Sequence, residues 1–311
     1  MKQFYNLFTL LMLLMVTLVA KAQPNAPDIV VSKDGKSDFA SIQEAIMSVR
    51  DYKPTRTTIY VKRGTYNEKV LIPANKCDIT IIGEDIDKVK ITYSDFATLN
   101  NMGMFNTWTC RVDGSGIRME NLTIENAAGR VGQAVCLHVE GDRCEFTDIK
   151  LIGNQSTLFN GGTSCSRQYF KNCYIEGTTD FISGPATVWF EGCTIMCKSD
   201  SYITAASTPK AHSYGMIFSN CVVKADKSAK KVYLGRPWRE YASVTFMNCE
   251  LPSCLVPEGW HNWGMVENQS TARFSEYHST GVGGAVLSSR VKWATQLDSA
   301  AVSVITLENV M

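Results

Sequence analysis

One carboxylate, one guanidinium and two carboxamides stand out in this chain against a background of short apolar runs. Asp180 lies in GTTDFISG (177–184), where the apolar Phe181 and Ile182 follow it and predict a partly dry setting. Arg236, in YLGRPWREY (233–241), is a cation that can pair with that carboxylate, keep it ionised and orient it. Gln133 of GQAV (132–135) and Gln155 of GNQSTLF (153–159) carry N–H groups able to bond an oxygen that becomes negative. A carboxylate nucleophile beside oxyanion donors is a set for acyl transfer. Trp238 adds a flat apolar face of the sort on which sugar rings stack. Each residue alone also has a structural reading, as a turn acid, a turn amide, a strand end or a core indole. No G-x-S-x-G elbow and no Ser-His-Asp order is present, so serine-hydrolase chemistry has little support.

These stretches can meet only if the chain brings them to one face, and a repeat does so. The segments RMENLTI (118–124), EFTDIKL (145–151), YFKNCYI (169–175), WFEGCTI (189–195), IFSNCVV (217–223) and TFMNCEL (245–251) share one pattern. A large apolar residue comes first in each: Met119, Phe146, Phe170, Phe190, Phe218 and Phe246. Two positions on stands a turn residue, Asn121, Asp148, Asn172, Gly192, Asn220 and Asn248, followed by Leu122, Ile149, Cys173, Cys193, Cys221 and Cys249. Successive turns are 27, 24, 20, 28 and 28 residues apart, the length of one solenoid coil with loops of variable size. The segments alternate with period two, which excludes a helical repeat. The predicted architecture is all-β, a right-handed parallel β-helix. In it the phenylalanines and cysteines form internal ladders and the Asn positions take a left-handed turn. Residues 38–49, with an N-cap candidate and apolar positions 39, 42, 45, 46 and 49, predict an amphipathic helix covering the open end. TTIYVKRGTY (57–66) and CDITIIGE (77–84) read as the first coils.

The ends and composition narrow the setting. Lys2, an apolar run from Leu7 to Ala20 and the small-x-small Ala20-Lys21-Ala22 predict a cleaved secretory signal over residues 1–22. The run is shorter than the ~20 residues a bilayer span needs. A single domain from Gln23 to Met311 is expected, secreted or periplasmic, monomeric and off the membrane once the signal is removed. With 31 basic and 30 acidic residues, nothing advertises a nucleic-acid partner. Eleven cysteines in an exported chain suggest disulfides, but no C-x-x-C pair occurs and the repeat assigns most of them to a ladder of small hydrophobes. Four scattered histidines, His138, His212, His261 and His278, make a zinc site an unpromising reading, and no cofactor or metal is expected.

Taken together, IVVSKDGKSDFASIQEAI (29–46), GQAVCLHVEGDRCEF (132–146), GNQSTLF, CYIEGTTDFISG (173–184), YITAAST (202–208), YLGRPWREY, Gly259-Trp260 with Trp263, and RVKW (290–293) resemble the pectin methylesterases, carbohydrate esterases acting on homogalacturonan. The resemblance spans the mature chain in the family's order. It implies the same β-helix, with Asp180 as the nucleophilic aspartate, Gln155 and Gln133 as oxyanion donors and Arg236 bonded to the nucleophile. It further implies Trp238 as the stacking tryptophan and Phe159 at a position usually held by an aromatic substrate contact. The implied ligand is methyl-esterified pectin or another galacturonate-containing polysaccharide.

Two departures matter. The family's Gln-Asp-Thr-Leu-Tyr is Gln155-Ser156-Thr157-Leu158-Phe159 here, so the carboxylate that serves as general acid and base is replaced by Ser156. The family's DFIFGNA is DFISGPA, with Ser183 for an aromatic substrate contact and Pro185 for Asn, which predicts a wider groove lined by Ser156 and Ser183. Three readings follow. One is an active esterase, on a branched or unusual pectin that the wider groove admits, its methanol protonated through water held by Ser156 or by another group, with His138, His212 and His261 as candidates. A second is a silent galacturonan-binding solenoid. A third, a β-helix lyase or glycosidase, requires clustered carboxylates that the sequence does not show.

Overall fold

A computed structural model describes residues 26–162, 166–285 and 287–311, and the expected signal segment lies outside them. The chain winds into coils whose strands stack in three parallel sheets, one of eleven strands and two of seven. One coil contributes Arg167–Lys171 to the large sheet, Tyr174–Gly177 to the second and Ile182–Gly184 to the third, before the next coil begins with Thr187–Glu191. Every strand pairing is parallel and joins a strand to its equivalent one coil on, which makes the fold a parallel β-helix.

The repeat in the sequence is the register of the stack. Met119, Phe146, Phe170, Phe190, Phe218 and Phe246 are direct partners from coil to coil. The five phenylalanine rings stack at centroid spacings of 4.5, 5.1, 4.5 and 4.3 Å, close to the strand spacing that sets them. All are fully buried. Asn121, Asp148, Asn172, Asn220 and Asn248 take φ between 50° and 57°, the left-handed turn that a short polar side chain tolerates. The residue after that turn points inward. Cys173, Cys193, Cys221 and Cys249 each donate the thiol to a carbonyl of the preceding coil, at 3.3–3.5 Å, from Phe146, Phe170, Phe190 and Phe218 respectively. The ten described cysteines are free. Burial pushes the Cys193 thiol well above its ordinary range, so these sulfurs are packing groups.

Both ends are closed. The predicted first helix forms over Ile42–Ser48, shorter than its apolar pattern, with Ile42, Ala45 and Ile46 buried. Its N-cap is Ser41, whose hydroxyl accepts from Glu44 N and donates to Glu68 at 2.6 Å. Glu68 also accepts from the Ile42 and Gln43 amides, so an anion from the next coil satisfies the helix N-terminus. At the other end the phenylalanine column stops at Glu276, the register partner of Phe246. Glu276 is fully buried, chelated by Arg290 at 2.8 and 3.1 Å, and accepts from the Trp260 indole. The RVKW and Gly-Trp motifs thus plug the stack. The final turns fold back so that Leu307, Val310 and Met311 pack on the outer face of the large sheet, beside Trp189, Ile217 and Met247.

The sheet that concerns function runs from Val70–Ile72 to Val232–Pro237. Its alternate residues face inward or outward. The inward column includes Leu137, Leu158 and Ile182; the outward one reads Arg111, His138, Phe159, Ser183, Ala205 and Arg236. This outward column is the floor of a groove.

Candidate active site

Asp180 sits in the turn before Ile182–Gly184, with φ at 46°, and its amide donates to Tyr202 O at 2.7 Å in the next coil. A short polar residue such as aspartate tolerates this left-handed conformation. From this turn the carboxylate reaches Arg236, two coils on. There the guanidinium closes a two-point fork, Nε to Oδ1 at 2.9 Å and Nη2 to Oδ2 at 2.5 Å. Gly235 lets that strand come so near: a Cβ at this position would sit 1.9 Å from Thr204 Oγ1. Asp180 is 9% exposed. Burial is the largest influence on its carboxyl and, against the two opposing contributions of Arg236, holds its pKa above the ordinary aspartate value. The acid is thereby more basic than a free carboxylate, which favours nucleophilic attack on an ester.

The two carboxamides arrive from the two preceding coils. Gln133 and Gln155 are parallel bridge partners, with Ala134 N donating to Gln155 O at 3.1 Å. Gln133 is pinned from the other side by Ala97 N, and the nearby backbone by Asn126, whose amide donates to the carbonyls of Asp95, Thr107 and Val135. Neither Gln side chain bonds to another described residue, so both N–H pairs are available to a ligand.

One cleft gathers these groups: Gln133, Gln155, Ser156, Asp180, Ser183, Ala205, Arg236 and Trp238 line it, with Met104 and Trp263. Seven of the eight residues singled out in the sequence therefore converge. The eighth, Phe159, is 6% exposed and lies beneath the cleft, edge-on to Trp238 at 6.3 Å and to Phe105 at 5.1 Å. Ser156 has φ at 65° and is buried, with its hydroxyl unbonded by other described residues. The Ser183 hydroxyl is buried without a partner as well. Neither is an ionisable group, and Asp180 is the only carboxylate among the described residues that line the cleft. None of the candidate histidines lines it. His138 is buried and bonded to Glu140 at 2.6 Å, His212 is buried, and His261 packs against Tyr202 and Tyr233.

Sequence reasoning gave no site role to Met104, Trp263 or Tyr202. The Arg236 guanidinium lies between two aromatic faces, 3.9 Å from the Tyr202 ring centre and 3.7 Å from that of Trp263. Tyr202 was legible in principle, since its register partner Tyr233 stacks on it at 5.0 Å. Met104 and Trp263 come from irregular loops, for which no periodicity signals a direction.

A buried carboxylate on a β-helix groove, forked to arginine and faced by two free carboxamides, defines the class as a β-helix ester hydrolase. The chain belongs to the pectinesterase family, whose sequence pattern matches residues 28–309. It is 37% identical to pectinesterase 31 of Arabidopsis thaliana over 278 residues, 86% of each chain. A probable pectinesterase/pectinesterase inhibitor 64 from the same plant is 33% identical, and there the match covers 91% of this chain but 50% of the relative. Among solved structures it resembles a pectin methylesterase from carrot, with a TM-score of 0.87 and 29% identity over 93% of this chain and 94% of that one. A pectin methylesterase from Erwinia chrysanthemi gives 0.78 and 28%, covering 92% and 97%. Another similar structure, at 0.79 and 27%, over 92% of this chain and 97% of that one, is a pectin methylesterase variant in complex with a hexasaccharide.

Proposed function

We propose that this chain hydrolyses methyl esters of galacturonate units in pectin, with Asp180 as nucleophile. The observation that carries the reading is the Asp180–Arg236 fork opening on a cleft with two uncommitted carboxamides. Asp180 attacks the ester carbonyl carbon. The oxygen that becomes negative is met by the amides of Gln133 and Gln155, and donors placed beforehand are worth about 10²- to 10³-fold each. Methoxide leaves as methanol, taking a proton from water bonded to the Ser156 hydroxyl. The hydroxide left by that proton transfer then splits the acyl–Asp180 anhydride, returning the Asp180 carboxylate and releasing the galacturonic acid carboxyl group. Arg236 keeps the nucleophile ionised in a buried place, and Trp238 supplies an apolar wall for the sugar ring.

The same reading makes the chain an exported monomer with one domain over 23–311, supported by the leader pattern and by an unbroken stack of coils capped at each end. Serine at 183, where a ring would fill space, supports a substrate bulkier than linear homogalacturonan. The test is methanol release from methylated pectins of different branching by wild type, Asp180→Ala and Ser156→Asp. Wild type should release methanol and Asp180→Ala none. Binding of pectin without methanol release by wild type would instead make the chain a galacturonan-binding solenoid.

A further inference from the structure

The loop after Trp260 carries a feature that the catalytic groups alone do not require. Trp263 has φ at 62°, a costly conformation for a bulky side chain. Its amide donates to His261 Nδ1 at 2.9 Å, closing a turn of the kind Asn and Asp side chains form two residues ahead of themselves. The turn lays the indole on Arg236 at 3.7 Å, opposite the Tyr202 ring at 3.9 Å. His261 in turn rests on Tyr202 and Tyr233.

We propose that Trp263, with its backbone held by His261, is a positioning residue for the nucleophile: with Tyr202 it clamps the Arg236 guanidinium in the orientation that forks Asp180. This rests on the esterase reading for its consequence and adds a role to a residue outside the acyl-transfer set. A guanidinium on a three-methylene stem has many rotamers, and only one plane places Nε and Nη2 on both carboxylate oxygens. Two ring faces within 4 Å leave it that plane. One face of the indole is thereby committed to Arg236, so Trp263 meets substrate only by its edge or other face.

The charged and titratable groups around the clamp are Asp180, Tyr202 and His261, with Tyr233 and Glu258 one step out. His261 is held below the ordinary histidine value by burial first and by Arg236 second, which keeps Nδ1 an acceptor for the Trp263 amide. Loosening Arg236 removes the contributions that lower the Asp180 pKa and leaves the burial that raises it.

The experiment compares wild type, Trp263→Ala, Trp263→Phe, His261→Ala and His261→Asn in two readouts. One is kcat and KM for methanol release against pH. The other is the titration of the Asp180 carboxyl by carbon-13 NMR, assigned with Asp180→Asn. Trp263→Ala should lower kcat/KM about 2- to 30-fold, the effect of losing one cation–π contact. It should also move both the acid limb and the Asp180 midpoint to higher pH. Trp263→Phe should recover part of both shifts, and His261→Asn, which keeps an acceptor for the turn, should stay closer to wild type than His261→Ala. A Trp263→Ala protein with raised KM but unmoved acid limb and Asp180 midpoint overturns the proposal and makes Trp263 a sugar platform. Absence of methanol release by wild type would sink the esterase reading instead, and the carboxyl titration would still decide the clamp.

Discussion

Arg236→Lys is the substitution that isolates what the fork contributes. Lysine keeps the positive charge but offers a point donor, so the Nε–Oδ1 and Nη2–Oδ2 pair at 2.9 and 2.5 Å cannot both be replaced. A hydrogen bond to a charged group contributes about 1.5–3 kcal/mol, and at one pKa unit per 1.36 kcal/mol its loss corresponds to roughly one to two units. Side-chain exposures of 17% for Arg236 and 12% for Asp180 mean that water replaces little of this. The sign follows from the causes acting on Asp180. Burial already raises its pKa and Arg236 opposes it, so a weakened Arg236 raises the pKa further. In the proposed mechanism the ionised form attacks the ester, so activity should disappear from the acid side at a higher pH. The assay is initial methanol release from methylated pectin, as kcat/KM against pH, because that profile reports groups of the free enzyme. Arg236→Lys should carry its acid limb upward by about one to two pH units. Its alkaline plateau should fall as well, because an ionised but misdirected carboxylate loses part of its orientation. An acid limb that stays where wild type has it would refute the claim that Arg236 governs the protonation of Asp180.

Asp180→Ala should reduce methanol release to background while leaving the thermal unfolding profile cooperative, since it removes a groove residue and no ladder residue. Ser156→Ala should cost less than about tenfold in kcat, far below the 10²- to 10⁴-fold worth of a general acid–base; a dead variant would give that hydroxyl a larger role than water holding. Gln155→Leu and Gln133→Leu should each lower kcat by about 10²- to 10³-fold with little change in KM, measured on the same substrate. Phe190→Ala should destabilise the fold by about 3–5 kcal/mol in urea titration, because it opens the middle of a continuous ring stack.

The interior of this fold was legible because stacking repeats each environment. A side chain whose neighbours above and below are its own equivalents meets nearly the same space in every coil, so Phe146 to Phe246 and Cys173 to Cys249 recur at matching offsets. The left-handed Asn turns recur for the same reason. Where the stack ends the rule ends, and the next partner of Phe246 is Glu276, chosen for Arg290 and Trp260. His278 likewise takes the left-handed turn, with φ at 46°, where earlier coils use Asn, Asp or Gly. Four candidate residues, at 133, 155, 180 and 236, were readable from polar groups interrupting an apolar pattern. The loop residues Met104 and Trp263 beside them were not, because their directions are set by contacts without periodicity, such as the long-range Ala97–Gln133 bond and the local turn from Trp263 to His261. The burial of Phe159 also escaped the sequence, since a groove-floor ring is covered or bare according to what Phe105 and Trp238 do above it.

The distribution of departures from the family pattern says which constraints are independent. Ser156 and Ser183 both face the cleft, and neither contributes to the phenylalanine or cysteine ladder. Replacing a carboxylate and a ring there leaves the inward column Leu137, Leu158 and Ile182 fully buried and in register. The reverse separation does not hold. The Asp180–Arg236 fork is built on the close approach of Gly235 to Thr204 and on the left-handed φ of Asp180, both properties of the stack. The Asp180–Arg236 fork is therefore tied to the fold, whereas positions 156 and 183 are free to vary. Loss of an acid–base group at 156 should tax the departure of methanol and leave the attack of Asp180 intact. A substrate whose leaving group needs less protonation than methanol, such as an aryl ester of galacturonate, should accordingly narrow the gap between wild type and Ser156→Asp, and an unchanged gap would place the role of residue 156 in binding rather than in proton transfer.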